Sequence, residues 1–112
     1  MEYQGEWKNG FCNGKGKEIW KDGVEYEGDF LSGTKHGYGV HIWKDGSRYN
    51  GQWRQGIMEG EGILTLSNGD KYHGQFKGGK KHGEGIITLY HGKKYKGTFI
   101  NGAMIGDGIP LN

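Results

Sequence analysis

A chain of 112 residues is one domain at most by size, and a formal charge of +2 leaves no electrostatic footprint for nucleic acid. No run of about 18 apolar residues exists to span a bilayer, and no charged-then-apolar segment at the N-terminus reads as a leader. Twenty-five glycines against one proline, at a mean hydropathy of −0.86, usually mean a linker or disorder. Four Trp, seven Tyr, four Phe and the spacing of the glycines indicate a folded repeat instead.

In chain order, the first element is Tyr3-x-Gly5-x-Trp7. The period of two puts both rings on one face of a strand with Gly5 between them. Gly10 follows, then Phe11-Cys12-Asn13, read as a loop, then the pair Gly14-x-Gly16 opening a second strand through Ile19-Trp20. Lys21-Asp22-Gly23 is a turn. An odd number of loop residues is needed to keep Trp20 and Tyr26 on one face. This favours a three-residue loop with Gly23 left-handed over a two-residue Asp-Gly turn. The unit then recurs at a strict spacing of 23 from Tyr26, Tyr49, Tyr72 and Tyr95, with Phe30, Trp53, Phe76 and Phe99 at the second aromatic place. Only Gly78 lies outside the repeated glycine positions, and the fifth unit ends at Pro110-Leu111-Asn112 with a truncated second strand. No segment has the 3.6 period of a helix.

Residues 1–112 are therefore expected to form one all-β domain, a single-layer, twisted antiparallel β-meander of five hairpins. Ten strands at about 4.8 Å give an array roughly 45–50 Å long. Glycine in a strand marks close approach, so the rings of one unit are expected over the glycines of the next. Stacking of neighbours, not the single unit, supplies the stability.

Motifs for chemistry fail in detail. Gly74-x-x-x-x-Gly79-Lys80 begins like a phosphate loop, but Lys81 stands where Ser or Thr should bind magnesium, and no helix follows. His36 and His82 are 46 residues apart; His41, His73 and His91 fall on other faces or turns, so no metal site is expected. The lone Cys12 has no His or Asn placed beside it and indicates a reducing, cytoplasmic compartment. No carboxylates are forced together for acid–base work. No catalytic residue, cofactor or small-molecule substrate is expected.

The unit Tyr-x-Gly-x-Trp-x-x-Gly-x-x-x-Gly-x-Gly-x-x-x-x-x-Asp-Gly, met in full by Tyr3 to Gly23, resembles the MORN (membrane occupation and recognition nexus) repeat. Phe30, Phe76 and Phe99 depart from its Trp, and Asn68 and His91 from its turn Asp. The resemblance implies a hairpin-per-repeat sheet, often dimeric, serving as a scaffold in junctional, ciliary, cytoskeletal or membrane-proximal assemblies. It also implies two other readings, anionic phospholipid binding and the docking module of a larger enzyme such as a phosphoinositide kinase or lysine methyltransferase.

Three surfaces are candidates for a partner. An aromatic groove comprises Tyr3, Trp7, Trp20, Tyr26, Phe30, Trp43, Tyr49, Trp53, Tyr72, Phe76, Tyr95 and Phe99, and suits a helical or extended protein segment. Edge loops alternate in character with a superperiod of 46: apolar in odd units (Phe11; Ile57 and Met58; Met104 and Ile105) and basic in even units (Thr34-Lys35-His36; Lys80-Lys81-His82). The face opposite the rings runs from Glu2, Glu6, Glu25, Glu27 and Asp29 to Arg48, Lys71, Lys94 and Lys96, with Val40, Ile42, Ile63 and Ile86 among them; this gradient suits a homodimer. Lys77, Lys80, Lys81, Lys93, Lys94 and Lys96 form the basic set that an anionic membrane would use. The reading that results is a non-enzymatic scaffold for protein–protein interaction.

Overall fold

The computed structural model describes residues 1–111. Ten strands follow one another: β1 (Glu2–Lys8), β2 (Phe11–Ile19), β3 (Glu25–Leu31), β4 (Thr34–Ile42), β5 (Arg48–Arg54), β6 (Ile57–Thr65), β7 (Lys71–Lys77), β8 (Lys80–Thr88), β9 (Lys94–Ile100) and β10 (Ala103–Leu111). They form one sheet in sequence order, every neighbour antiparallel. No helix occurs among the described residues, and the array is 49 Å long and 24 × 20 Å across. The expected all-β meander is thus the fold.

Two turn types alternate. Between units the loop has three residues, as the parity of the rings requires. Trp20 N–H donates to Val24 O at 2.8 Å around Lys21-Asp22-Gly23, and Trp43 to Ser47 and Leu66 to Asp70 do the same at 2.8 Å. The turn acid or amide fixes the loop from inside, since the Asp45 and Asn68 side-chain oxygens accept from the N–H two residues on, at 2.8 and 2.9 Å. Within units the strands join by two-residue turns with both φ positive, such as Asn9-Gly10 (φ 51° and 81°) and Gln55-Gly56 (49° and 79°). This is the type I′ hairpin, which matches strand twist and favours Asn-Gly. Gly78, outside the repeat pattern, takes the first place of that turn in unit four, at φ 58°. Gln55 holds the same place at a steric cost. Gln55→Asn is expected to stabilise the chain by about 0.5 kcal/mol, read as a higher urea midpoint at unchanged slope.

The segments read as edge loops are strand. Phe11, Thr34, Ile57, Lys80 and Ala103 each open the second strand of a hairpin, pairing with Lys8, Leu31, Arg54, Lys77 and Ile100. What makes them look like loops is a bulge. Between the pairs Gly5↔Gly16 and Trp7↔Cys12, Glu6 alone faces Asn13, Gly14 and Lys15. Gly14, at φ 78°, takes the left-handed place of the bulge. The lone opposing residue closes it: Glu6 accepts from Lys15 N–H at 2.9 Å, Asp29 from Tyr38 N–H at 3.1 Å, and Gln52 from Glu61 N–H at 2.7 Å. The Lys15 ammonium and that Tyr38 N–H hold the Asp29 carboxyl below the usual carboxylate range. Glu6 and Asp29 therefore carry structure on the face where they were read as free charge.

The remaining glycines form a row across the sheet, Gly5, Gly16, Gly28, Gly39, Gly51, Gly62, Gly74, Gly85 and Gly97, each in register with the next. The tyrosine rings of the first four units lie on this row, over the glycines of their own unit and not of the next. A methyl group on Gly39 would collide with the Tyr26 ring, and one on Gly62 with Tyr49. Each tyrosine is two residues before one glycine and cross-strand from the second, so its ring has one place to lie. There its hydroxyl donates three residues ahead, Tyr26 to Asp29 O and Tyr49 to Gln52 O, both at 2.8 Å. The second aromatic stacks edge-on against the tyrosine of the previous unit: Phe30 on Tyr3 at 5.3 Å, Trp53 on Tyr26 at 5.5 Å, Phe76 on Tyr49 at 4.9 Å, Phe99 on Tyr72 at 4.9 Å. These contacts make the five hairpins one body.

Candidate partner-binding face

The aromatic ladder is the core of the molecule. Of the twelve groove residues, Tyr26, Phe30, Tyr49, Trp53, Tyr72, Phe76 and Phe99 are all buried, Tyr26 and Tyr49 at 0% exposure. Burial pushes the Tyr26 phenol far up and that of Tyr49 to about 12. Trp53 is held further by its indole N–H, which donates to Gly39 O at 3.0 Å. These rings offer a partner no surface. Tyr3, Trp43 and Tyr95 are half-buried, while Trp7 (61%) and Trp20 (42%) are exposed.

The second residue of each even-numbered strand points onto this face and covers the rings. Cys12, Met58 and Met104 pack on the core in odd units, and burial pushes the Cys12 thiol up. In even units Lys35 Nζ lies 5.4 Å from the Tyr26 ring centre and 5.8 Å from Trp53. Lys81 Nζ lies 5.4 Å from Tyr72 and 5.9 Å from Phe99. The 46-residue alternation is therefore an alternating cover of sulfur and ammonium over one ladder, with cation–π attraction in the even units. Phe11 and Ile57 lie on the other side, exposed, against the turn glycines Gly33 and Gly79 of the following unit. Ile105 is exposed there too.

One apolar depression interrupts the cover. It measures about 520 Å³ and is lined by Val24, Trp43, Ser47, Met58, Leu64 and Leu66, with Lys44 and Asp45 at its rim. The three-residue turn of unit two borders it, with Val24, just after the turn of unit one, and Leu66, just before that of unit three, to either side. Ser47, 7% exposed, anchors this border by accepting from Ser67 N–H at 3.1 Å. Leu64 and Leu66 were missed in the sequence, although they share parity with Gly62, which places them on the ring face.

His41 lies beside this depression, 4.7 Å from Trp43 and 5.9 Å from Trp53 between ring centres. Its Nδ1 is buried with no partner among the described residues. Burial first, and Lys35 second, hold the imidazole below its usual range. The unfolded chain then takes up the proton first. Stability is complete above about pH 6.5 and falls as pH drops below it. Leu64 and Ile87 occupy the same place in units three and four. His41→Leu is expected to gain about 1–2 kcal/mol and to abolish this fall, measured as Tm from neutral to mildly acidic pH.

The basic set does not converge. Lys77 and Lys80 pair at the two-residue-turn edge, and Lys81 is turned over the rings. Lys93 is in the loop before β9, while Lys94 and Lys96 lie on the opposite face. Six residues of strand, about 20 Å, separate the Lys77 edge from Lys94. Among the described residues no cluster of three His, Cys, Asp or Glu could hold a metal ion.

The family model for the MORN repeat matches four consecutive units, residues 3–25, 26–48, 49–71 and 72–93. The chain belongs to the MORN-repeat family. A comparison with curated proteins gives no match. The fifth hairpin of this MORN array lies beyond the matched units and differs physically: Met104 sits over Gly97, where the earlier units place a tyrosine ring. It still supplies Phe99 to the ladder.

Proposed function

We propose that this MORN array is a non-enzymatic scaffold that holds one amphipathic segment of a protein partner, helical or extended, on its aromatic face. The Trp43 depression carries the reading. It is apolar, it is open, and the fold's own rings leave its Trp43 only half-buried. A rigid aromatic beside aliphatic walls is the usual seat of an interface anchor. The 520 Å³ volume admits one or two large side chains, while the flanking Lys44 and Asp45 suit a polar rim.

Helical peptides selected from a display library against the folded chain test this. They are expected to share apolar anchors at i, i+3/i+4 and i+7, and to lose at least about tenfold in affinity on Leu66→Asp. Selected peptides that bind Leu66→Asp unchanged would overturn the site. Binding to anionic vesicles that Lys77→Glu/Lys80→Glu abolishes, with no peptide selected, would replace the reading with a membrane one.

A further inference from the structure

Odd and even units cover the same rings with different chemistry. One place in the repeat is held by Cys12, Met58 and Met104 in odd units and by Lys35 and Lys81 in even ones. A thioether covers a ring as well as a lysine stem does, so the fold itself has no need of a cation there. Lys35 has a counter-charge within the chain: Glu18, 12% exposed, meets its ammonium at 4.0 Å. Lys81 stands 46 residues on in the same setting, with Nζ 5.4 Å from the Tyr72 ring centre and 5.9 Å from Phe99. The residue 46 after Glu18, however, is Leu64. It lies cross-strand from Tyr72 as Glu18 lies from Tyr26, and it is also a wall of the Trp43 depression. Among the described residues no ion pair engages Lys81. The ring face thus carries a half-buried ammonium with no counter-charge, next to a wall of its apolar depression. Attraction to two rings replaces only part of the hydration such a group loses.

We infer that the segment docked in the depression is acidic. It runs along the array toward unit five and sets an Asp or Glu carboxylate on Lys81, as unit two sets its own Glu18 on Lys35. This rests on the docking reading above and adds to it the partner's chemistry and direction. Strand β8 lies two strand spacings beyond β6, about 10 Å, so in a helix the acid stands within about seven residues of the apolar anchor. It lies on the unit-four side, because on the unit-two side Lys35 is already paired and Glu18 repels a second carboxylate. The depression supplies the hold, and Lys81 sets the direction.

The display peptides that lose affinity on Leu66→Asp are the probe. They are expected to share an Asp or Glu within about seven residues of the apolar anchors, always on the same side of them. Lys81→Met is expected to weaken them at least about fivefold with little change in Tm, because Met58 and Met104 already hold this place. Lys35→Met is expected to change affinity less than about twofold. Lys81→Glu is expected to weaken them further, with recovery when the peptide's acid is replaced by Lys. The same contact is read without touching the fold by changing the peptide's acid to its amide. That change is expected to cost at least about fivefold on the wild-type chain and almost nothing on Lys81→Met. Peptides that require Leu66 but share no acid, or that bind Lys81→Met unchanged, overturn the inference and leave the docking site standing. Failure to select any peptide that requires Leu66 overturns both.

Discussion

Gly62→Ala is expected to destabilise the chain by about 2–4 kcal/mol, far beyond the usual cost of adding one methyl group. The backbone at Gly62 is not left-handed, so the cost is steric and not conformational. The new methyl would stand inside the Tyr49 ring, which is 0% exposed and cannot tilt without leaving the core. Displacing it also breaks the bond from its hydroxyl to Gln52 O and the edge contacts to Trp53 and Phe76, at 5.1 and 4.9 Å. Gly56→Ala is the control, since nothing lies within 4 Å of its methyl position. Its φ of 79° alone limits the loss to about 1 kcal/mol. In a Tyr49→Leu background the ring is gone, and Gly62→Ala should cost little. Urea unfolding of the four chains gives the coupling, expected above about 1 kcal/mol; strict additivity would remove tyrosine-on-glycine packing from the account.

Trp53→Ala and Trp43→Ala are expected to part company. Trp53 is 7% exposed, stacks between Tyr26 and Tyr49, and donates to Gly39 O. Its truncation should cost about 3–5 kcal/mol, a large share of the 5–15 kcal/mol that holds a typical domain. In a repeat array the loss is felt first at the neighbouring units, so hydrogen exchange should quicken in β3 to β6 before the ends. Trp43 rests on the ladder from outside, next to the depression. Its truncation should cost roughly 1–2 kcal/mol, through lost partial burial alone, yet weaken a docked peptide at least about tenfold. A binding assay on Trp53→Ala alone would confuse the two effects. If Trp43→Ala proves as destabilising as Trp53→Ala, the depression belongs to the core and the docking proposal loses its support.

Parity explains which features could be read early. Tyr3, Gly5 and Trp7 alternate, so their shared face follows from covalent geometry. The same parity demanded three residues around Gly23. The bulge opposite Glu6 breaks this legibility, because a left-handed Gly14 gives no sign of which strand carries extra residues. Phe11 and Ile57 consequently read as loop, and Cys12, Lys35, Met58, Lys81 and Met104 were not seen as a cover over the rings. Parity carried back from Gly16 to Cys12, and forward from Gly62 to Leu66, would have found both the cover and the depression.

The sequence by itself determined the five hairpins, their order, the length of the array and the shared face of the repeated aromatics, since strand period and turn chemistry act over a few residues. Tertiary structure alone decided which rings remain accessible. Tyr26 and Trp7 belong to the same repeated motif, yet one is sealed and the other is 61% exposed. The difference lies in what the adjoining hairpins lay against each ring: Tyr26 has Trp53 of the following unit at 5.5 Å and Lys35 above it. It also decided that the six lysines divide between two edges and two faces, because cross-strand register, not nearness in sequence, sets which charges add.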